Sequence, residues 1–414
     1  MNIIVSHPTG NRNVRAVISS LNEAGMLAGF NTTLATNPKA GWINLLPAGL
    51  RQEWLRRTFP IPREKIWTHP SREFARMLLP KVGLKSYTRH EFGWACVDAV
   101  YRDFDRVAAK RLLETAGKQR VQGVYAYEDG ALETFKAAKK IGLKCIYDLP
   151  IAYWETGRKL MYEEAERLPG WANTLGGGIK DSDGKLARKT EELDLADVVV
   201  GPGKFVLDSL PDWARDKEIY MAPFGSPKPA TIKDASMARK DSKKPLRVLF
   251  AGSMGQRKGL GDLFAAIRLL NRNDVELVVM GALQAPMEFY RNELFNFTYE
   301  AGRPHDQVLE LMRSCDVFCL PSIVEGRALV MQEAMSQGLP LIITPNTGGA
   351  DLIIEGETGF LVPIRSPEII AEKILWFLNN RDQIAEMGKK AIEHSALYTW
   401  ENYGSGIVKS LLRY

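Results

Sequence analysis

Cysteine and histidine are scarce in this chain, with four and five among 414 residues. Cys315 and Cys319 stand four apart with no second pair, while Cys96 and Cys145 are isolated. That spacing lacks the paired pattern of a zinc site, so buried reduced thiols are expected. His69 and His90 fall in a basic stretch, His305 in a loop and His394 near the C-terminal helix. Each reads as structural or solvated. No apolar run approaches the roughly 18 residues of a membrane span. The opening MNIIVSHPTGNRNV is a strand followed by a polar loop; it lacks the charged–apolar–small order of a signal peptide, so the cytoplasm is the expected compartment. Convincing acidic pairs are also missing. DFD (103–105) lies in a helical pattern and DSD (181–183) in a glycine-rich loop. Both read as solvated charge, and neither a metal site nor a cofactor is expected.

What is present is ordinary for a globular protein: 45% hydrophobic and 25% charged residues, which argues against disorder. The length exceeds what one hydrophobic core sustains, so two domains are expected. Apolar runs alternate with helical patterns in each half. The first half has NIIVS (2–6), GVYAY (123–127), CIYDL (145–149) and ADVVVG (196–201); the second has LRVLFAGS (246–253), VELVVMG (275–281), DVFCLPS (316–322) and PLIITP (340–345). Uninterrupted apolar strands separated by helices predict α/β units with parallel sheets covered on both faces. The expected division is a first Rossmann-like domain over 1–225, an exposed linker over 226–245, and a second Rossmann-like domain over 246–398. A final helix, about 399–414, is expected to pack back onto the first domain. The cleft between the two is the expected site.

Two glutamates mark the stretch PSIVEGRALVMQEAMSQGLPLIITPNTGG (321–349). Glu325 follows a strand, at the carboxyl edge where open α/β sheets bind ligands. Glu333 belongs to a helix expected over about 327–337, on the stripe of Gly326, Leu329 and Val330. Amide donors at that helix start suit an anion, and each carboxylate can accept two sugar hydroxyls. A hydroxyl-rich, anionic ligand fits both.

This stretch resembles the signature of the retaining nucleotide-sugar glycosyltransferases of family 4. Their architecture, GT-B, sets two Rossmann-like domains face to face. The resemblance extends through LFAGSMGQRKGLGDLFAAI, VVMGA, AGRPHDQVLELMRSCDVFCLPS and NTGGADLIIEGETGFLVP, and more loosely through HPTGN, ADVVVGPGKFVLDSL and MAPFGSP. It implies that Glu325 meets hydroxyls of the donor sugar and Glu333 the nucleotide ribose. The backbone of Gly326, Arg327, Ala328 and Leu329 would support sugar and diphosphate, and the base would lie near Arg303. In the loop GSMGQRKG, which includes Gly252, the family usually places an arginine after the first glycine and a lysine before the last. Lys258 is present, but Ser253 stands at the arginine position, with Arg257 as a substitute cation. Fixed cations there stabilise the charge of a departing diphosphate.

In the first domain Gly10, within HPTGN, lets the backbone approach a ligand. The histidine that the family often presents after a middle strand is absent; Glu128, with Asp129 beside it, and Asp148 stand at the corresponding strand ends as acceptor-side candidates.

The net charge of +6 is local. Residues 51–90 carry ten bases against three acids, +7, leaving −1 for the rest. Bases there interleave with Trp54, Phe59, Trp67, Phe74 and Leu78. That pattern suits an anionic membrane surface, and no nucleic-acid motif accompanies it. The expected activity is metal-independent, retaining transfer of a sugar from a nucleoside diphosphate sugar to a glycan or lipid-linked acceptor, with peripheral attachment at the inner face of the cell membrane. Two alternatives stay open: an isomerase such as a sugar-nucleotide 2-epimerase, and a non-catalytic sugar-nucleotide or membrane-binding protein.

Overall fold

The computed structural model describes residues 1–45, 48–230 and 244–413. Among the described residues, thirteen strands build two sheets. The first holds β1 (Ile3–Ser6), β2 (Leu27–Thr32), β3 (Ile66–Thr68), β4 (Gly123–Tyr127), β5 (Lys144–Asp148), β6 (Val198–Gly201) and β7 (Glu218–Met221), in the order β3-β2-β1-β4-β5-β6-β7. The second holds β8 (Leu246–Ala251), β9 (Val275–Met280), β10 (Thr298–Glu300), β11 (Val317–Leu320), β12 (Leu341–Ile343) and β13 (Gly359–Leu361), in the order β10-β9-β8-β11-β12-β13. Every pairing is parallel. In each sheet the strand order reverses beside its first strand, between β1 and β4 and between β8 and β11. Crevices at such reversals are where doubly wound sheets take their ligands.

Eight strands coincide with the apolar runs read from sequence. Of the other five, β3, β7, β10 and β13 share one cause and β2 has its own. β3, β7, β10 and β13 are sheet edges of three or four residues with partly exposed side chains, so they lack a continuous apolar run. β2 is interrupted by Gly29 and ends in Asn31 and Thr32.

The halves meet closely. Ile323 and Val324 pack with Ala152 and Met161 in one apolar cluster. Buried Glu164 accepts from Arg167 and Gln256 and pairs with Arg365. Trp171 leaves the first half altogether: its ring meets Phe264, Phe289 and Tyr290 edge-on at 4.8–5.9 Å inside the second core. The helix Trp400–Leu411 returns to the first sheet, where Tyr403, Ile407 and Leu411 share a core with Val14, Val17 and Ile18.

The stretch expected to be an exposed linker begins buried. Phe224 and Ser226 accept from Gln332, and Ala230 donates to Ser336. These bonds satisfy a buried side-chain amide and tie the chain to the helix Leu329–Ser336. Residues 231–243 of that linker lie outside the described residues.

Residues 51–90 are not one amphipathic face. Phe59, Ile61 and Ile66 pack against the first core, and Ile66–Thr68 is a strand. Arg57 and Arg76 both pair with buried Glu73, and Arg72 pairs with Asp103. The cysteines are free and buried, as expected.

Candidate active site

Two loops at the reversal of the second sheet build the site. After β8 the chain runs through Gly252 and Ser253 into a short turn, Gln256–Lys258, which aims two cations at the loop after β11. Arg257 Nη1 lies 2.6 Å and Lys258 Nζ 2.5 Å from the same atom, Glu325 Oε1. Arg257 also donates to the Val324 carbonyl at 3.0 Å, and its own carbonyl accepts from Ile323 at 2.9 Å. The two loops are thereby stitched together. Glu325 itself is buried. Burial pulls the Lys258 pKa below its ordinary value; Glu325 opposes this and Arg257 reinforces it.

The loop carrying Glu325 rests on the first half. A side-chain carbon at Gly326 would stand 1.7 Å from the Pro150 carbonyl oxygen. Only glycine permits that approach between the two halves.

The helix following this loop is shorter than expected, Leu329–Ser336. It places Glu333 in a cavity of about 540 Å³ that is also lined by Gly252, Ser253, Lys258, Arg303, Ala328 and Leu329. Burial raises the Glu333 pKa, opposed by His305 and Arg12. His305, expected to be an uninvolved loop residue, lines the same cavity with Nδ1 3.7 Å from Glu333. Proximity along the chain gave no hint of this, because the two meet only across the β10 and β11 loops.

Arg327 contributes no free side chain. Its guanidinium is bidentate to Asp351 at 2.7 and 3.0 Å, donates to the Gly348 carbonyl and Gln332, and lies over the Tyr398 ring. Neither Arg327 nor Arg257, Glu325 or Gly326 lines the cavity; from this loop onward Ala328 and Leu329 do. Arg303 pairs with Glu300.

The first-half candidates do not line this cavity. Gly10 has φ +65°, and a side chain there would strike the Phe59 ring. Glu128 is buried and bonded to Lys189 at 3.0 Å, within a cluster that includes Asp129, Lys185 and Arg188. Asp148 is buried, and its Oδ2 lacks a hydrogen-bond partner. Sequence reading passed over His7, although it opens the quoted HPTGN. His7 Nδ1 accepts from the Thr9 and Gly10 amides at 3.2 and 2.9 Å, which leaves the proton on Nε2, buried and unpartnered. Burial, then Arg15, pull its pKa down to about 3.

Burial pushes the Asp148 pKa from an ordinary 3.8 up to about 7, with Glu128 adding to it and Tyr125 opposing. The folded chain therefore keeps a proton that the unfolded chain loses near pH 4. The associated stability is present below that pH and is lost as pH rises through 7. Unfolding at pH 4 and pH 8 should show the parent losing roughly 2–4 kcal/mol more than Asp148→Asn across that interval. Equal losses in both would show that Asp148 is ionised in the fold.

Among the described residues, one set of three potential metal ligands lies within mutual reach: His90, Glu91 and Asp181. None of them lines the cavity, and Asp181 is also paired with Lys185 at 2.9 Å.

Residues 233–394 match the model of a family described as Glycosyl transferases group 1. Among curated proteins, the chain is 30% identical over 163 residues to an uncharacterized glycosyltransferase of Methanocaldococcus jannaschii, covering 39% of this chain and 46% of that one. It is 32% identical over 107 residues to the D-inositol 3-phosphate glycosyltransferase of Corynebacterium urealyticum, covering 26% and 25%. The chain thus spans less than half the length of these relatives. Similar solved structures include sucrose-phosphate synthase from Thermosynechococcus elongatus, with TM-score 0.62, 18% identity and coverage of 100% and 98%. Anabaena HepE in complex with UDP gives TM-score 0.64, 14% identity and full coverage of both chains. The fold is the two-sheet GT-B architecture of these structures.

Proposed function

We propose that this chain, whose residues 233–394 match the model of the group 1 glycosyl transferases, moves a sugar from a nucleoside diphosphate sugar to an acceptor with retention of configuration. The observation that carries this reading is the shared carboxylate oxygen. Lys258 lines the cavity that holds Glu333 and, together with Arg257, converges on Glu325 Oε1.

Glu333, ionised, accepts the two ribose hydroxyls. Glu325 Oε2 accepts from the donor sugar, while its other oxygen holds the cations in place. As the diphosphate departs it gains charge, and the partly buried Lys258 ammonium stabilises that charge without reorganising. The acceptor attacks the face the diphosphate leaves, so no enzyme nucleophile is required. Two cations at this position supply the electrostatic stabilisation that a metal supplies elsewhere.

Purified protein incubated with labelled sugar nucleotides, with and without cell lipids, tests the reading. Uridine donors head the panel, because HepE is solved with UDP and with UDP-glucose. Transfer that survives EDTA and keeps the donor's anomeric configuration is the expected result. Conversion of the sugar nucleotide to an isomer, or binding without turnover, would replace the reading with one of its rivals. Loss of activity in EDTA, restored by Mg²⁺ or Mn²⁺, would overturn the metal-free step.

The acceptor is proposed to be anionic or lipid-linked, presented at a membrane surface. Support comes from a narrower region than the sequence indicated. Phe74, Leu78, Val82, Leu84, Phe92 and Trp94 are exposed between residues 74 and 94, among Lys81, Lys85 and Arg89. Exposed aromatics interleaved with bases suit the headgroup region of an anionic bilayer, each base adding about 1 kcal/mol. The chain should co-sediment with vesicles containing phosphatidylserine, weaken with salt, and lose at least tenfold in affinity when Lys85, Arg89, Phe92 and Trp94 are replaced by Ser. Absence of binding to such vesicles at low salt would favour a soluble acceptor. Among the described residues, no helix is long and apolar enough to cross a membrane.

A further inference from the structure

The cavity holds too little positive charge for a diphosphate if only the second half is counted. Lys258 and Arg257 share one counter-charge, Glu325, and Glu333 adds a second carboxylate, so these four groups sum to zero. Arg303 is neutralised by Glu300. Ser253, where the resembled family keeps an arginine, lines the cavity without charge. A nucleoside diphosphate brings two to three negative charges.

One more cation does line this cavity, and it comes from the first half. Arg56 is exposed there, and its guanidinium has no carboxylate partner among the described residues. Its backbone is fixed. Arg15 donates to the carbonyls of Arg56 and Thr58, Thr36 donates to the Arg57 carbonyl at 2.8 Å, and the Phe59 ring packs against Phe30 at 4.8 Å. A second first-half cation, Arg12, is close enough to influence Glu333, so the helix Arg12–Glu23 and the 56–59 segment approach the cavity together. The long arginine side chain is therefore presented to the second half by a braced segment.

We propose that Arg56 supplies, from across the cleft, the diphosphate-binding cation that Ser253 lacks. A guanidinium donates two parallel hydrogen bonds to phosphate oxygens, and an arginine free of a carboxylate partner has nothing to give up on binding. The two halves would then be joined through the donor itself, so its binding would favour the closed cleft. This rests on the proposed function above, because it presumes that the cavity takes a nucleoside diphosphate.

Calorimetric binding of UDP, GDP, ADP and their monophosphates to the full chain tests it. Arg56→Gln should weaken the best-bound diphosphate about 10- to 100-fold, the span of losing a hydrogen-bonded charge. The matching monophosphate should weaken by clearly less. Arg56→Gln combined with Ser253→Arg should recover most of the loss, because the cation is restored from the other side of the same cavity. Thermal unfolding should be unchanged in Arg56→Gln, whose side chain is exposed. Unaltered diphosphate affinity, or equal weakening of diphosphate and monophosphate, would overturn the proposal. If the parent chain binds none of the diphosphates, the proposed function itself fails, which is a different result from a silent Arg56 substitution.

Discussion

Lys258→Ala is expected to lower kcat about 10²- to 10³-fold while changing KM for the donor far less. Removing one preorganised donor to developing transition-state charge costs that much where water is excluded. Lys258 approaches the condition: its side chain is only 12% exposed, and its ammonium is held 2.5 Å from Glu325 Oε1. The interaction with the diphosphate strengthens as charge accumulates, so the effect falls on kcat. Burial also dictates a pH signature. Since the Lys258 pKa lies below its ordinary value, the ammonium is lost as pH rises, and kcat should fall on the alkaline side before a normal lysine would titrate. Lys258→Arg should move that alkaline limb upward, because a guanidinium keeps its proton. Steady-state kinetics over pH 6–10 checks both statements. A change confined to KM would mean that Lys258 only holds the ground state.

Glu333→Ala is expected to weaken binding of every nucleoside diphosphate at least tenfold. Hydrogen bonds to a charged group contribute about 1.5–3 kcal/mol each, and one carboxylate accepting two ribose hydroxyls makes two. Its environment adds a second expectation. Burial raises the Glu333 pKa, so the carboxylate takes up its proton at a higher pH than an ordinary glutamate. A protonated carboxyl accepts fewer hydrogen bonds, and nucleotide affinity should decline as pH falls through that raised value. In Glu333→Gln the decline should vanish and the affinity should stay low at all pH values. Calorimetry from pH 4.5 to 8 measures this. Retained affinity in the alanine variant would remove Glu333 from the ribose.

The Glu333 and Arg56 experiments also separate two kinds of contact. Loss of Glu333 should touch nucleosides, monophosphates and diphosphates alike, since all carry the ribose. Loss of Arg56 should scale with the number of phosphates.

Sequence by itself determined the fold class. Eight strands are largely buried on both faces, so they are mostly apolar or aromatic, and such runs are visible without a structure. It also singled out Glu325, in a loop at a strand's carboxyl end, and Glu333, on the helix that follows, while Lys258 came from the family resemblance. Edge strands such as β3 and β10 were illegible, since an edge needs no continuous apolar run and here amounts to three residues. Tertiary structure alone decided which charges remain free. Nothing in the chain distinguishes Arg327, locked onto Asp351, from Arg56, which faces the cavity. Nor does the spacing of Trp171 say that it crosses into the second core. Pairing partners lie tens to hundreds of residues apart along the chain, and a charge is spent or available according to what folding brings within about 4 Å of it.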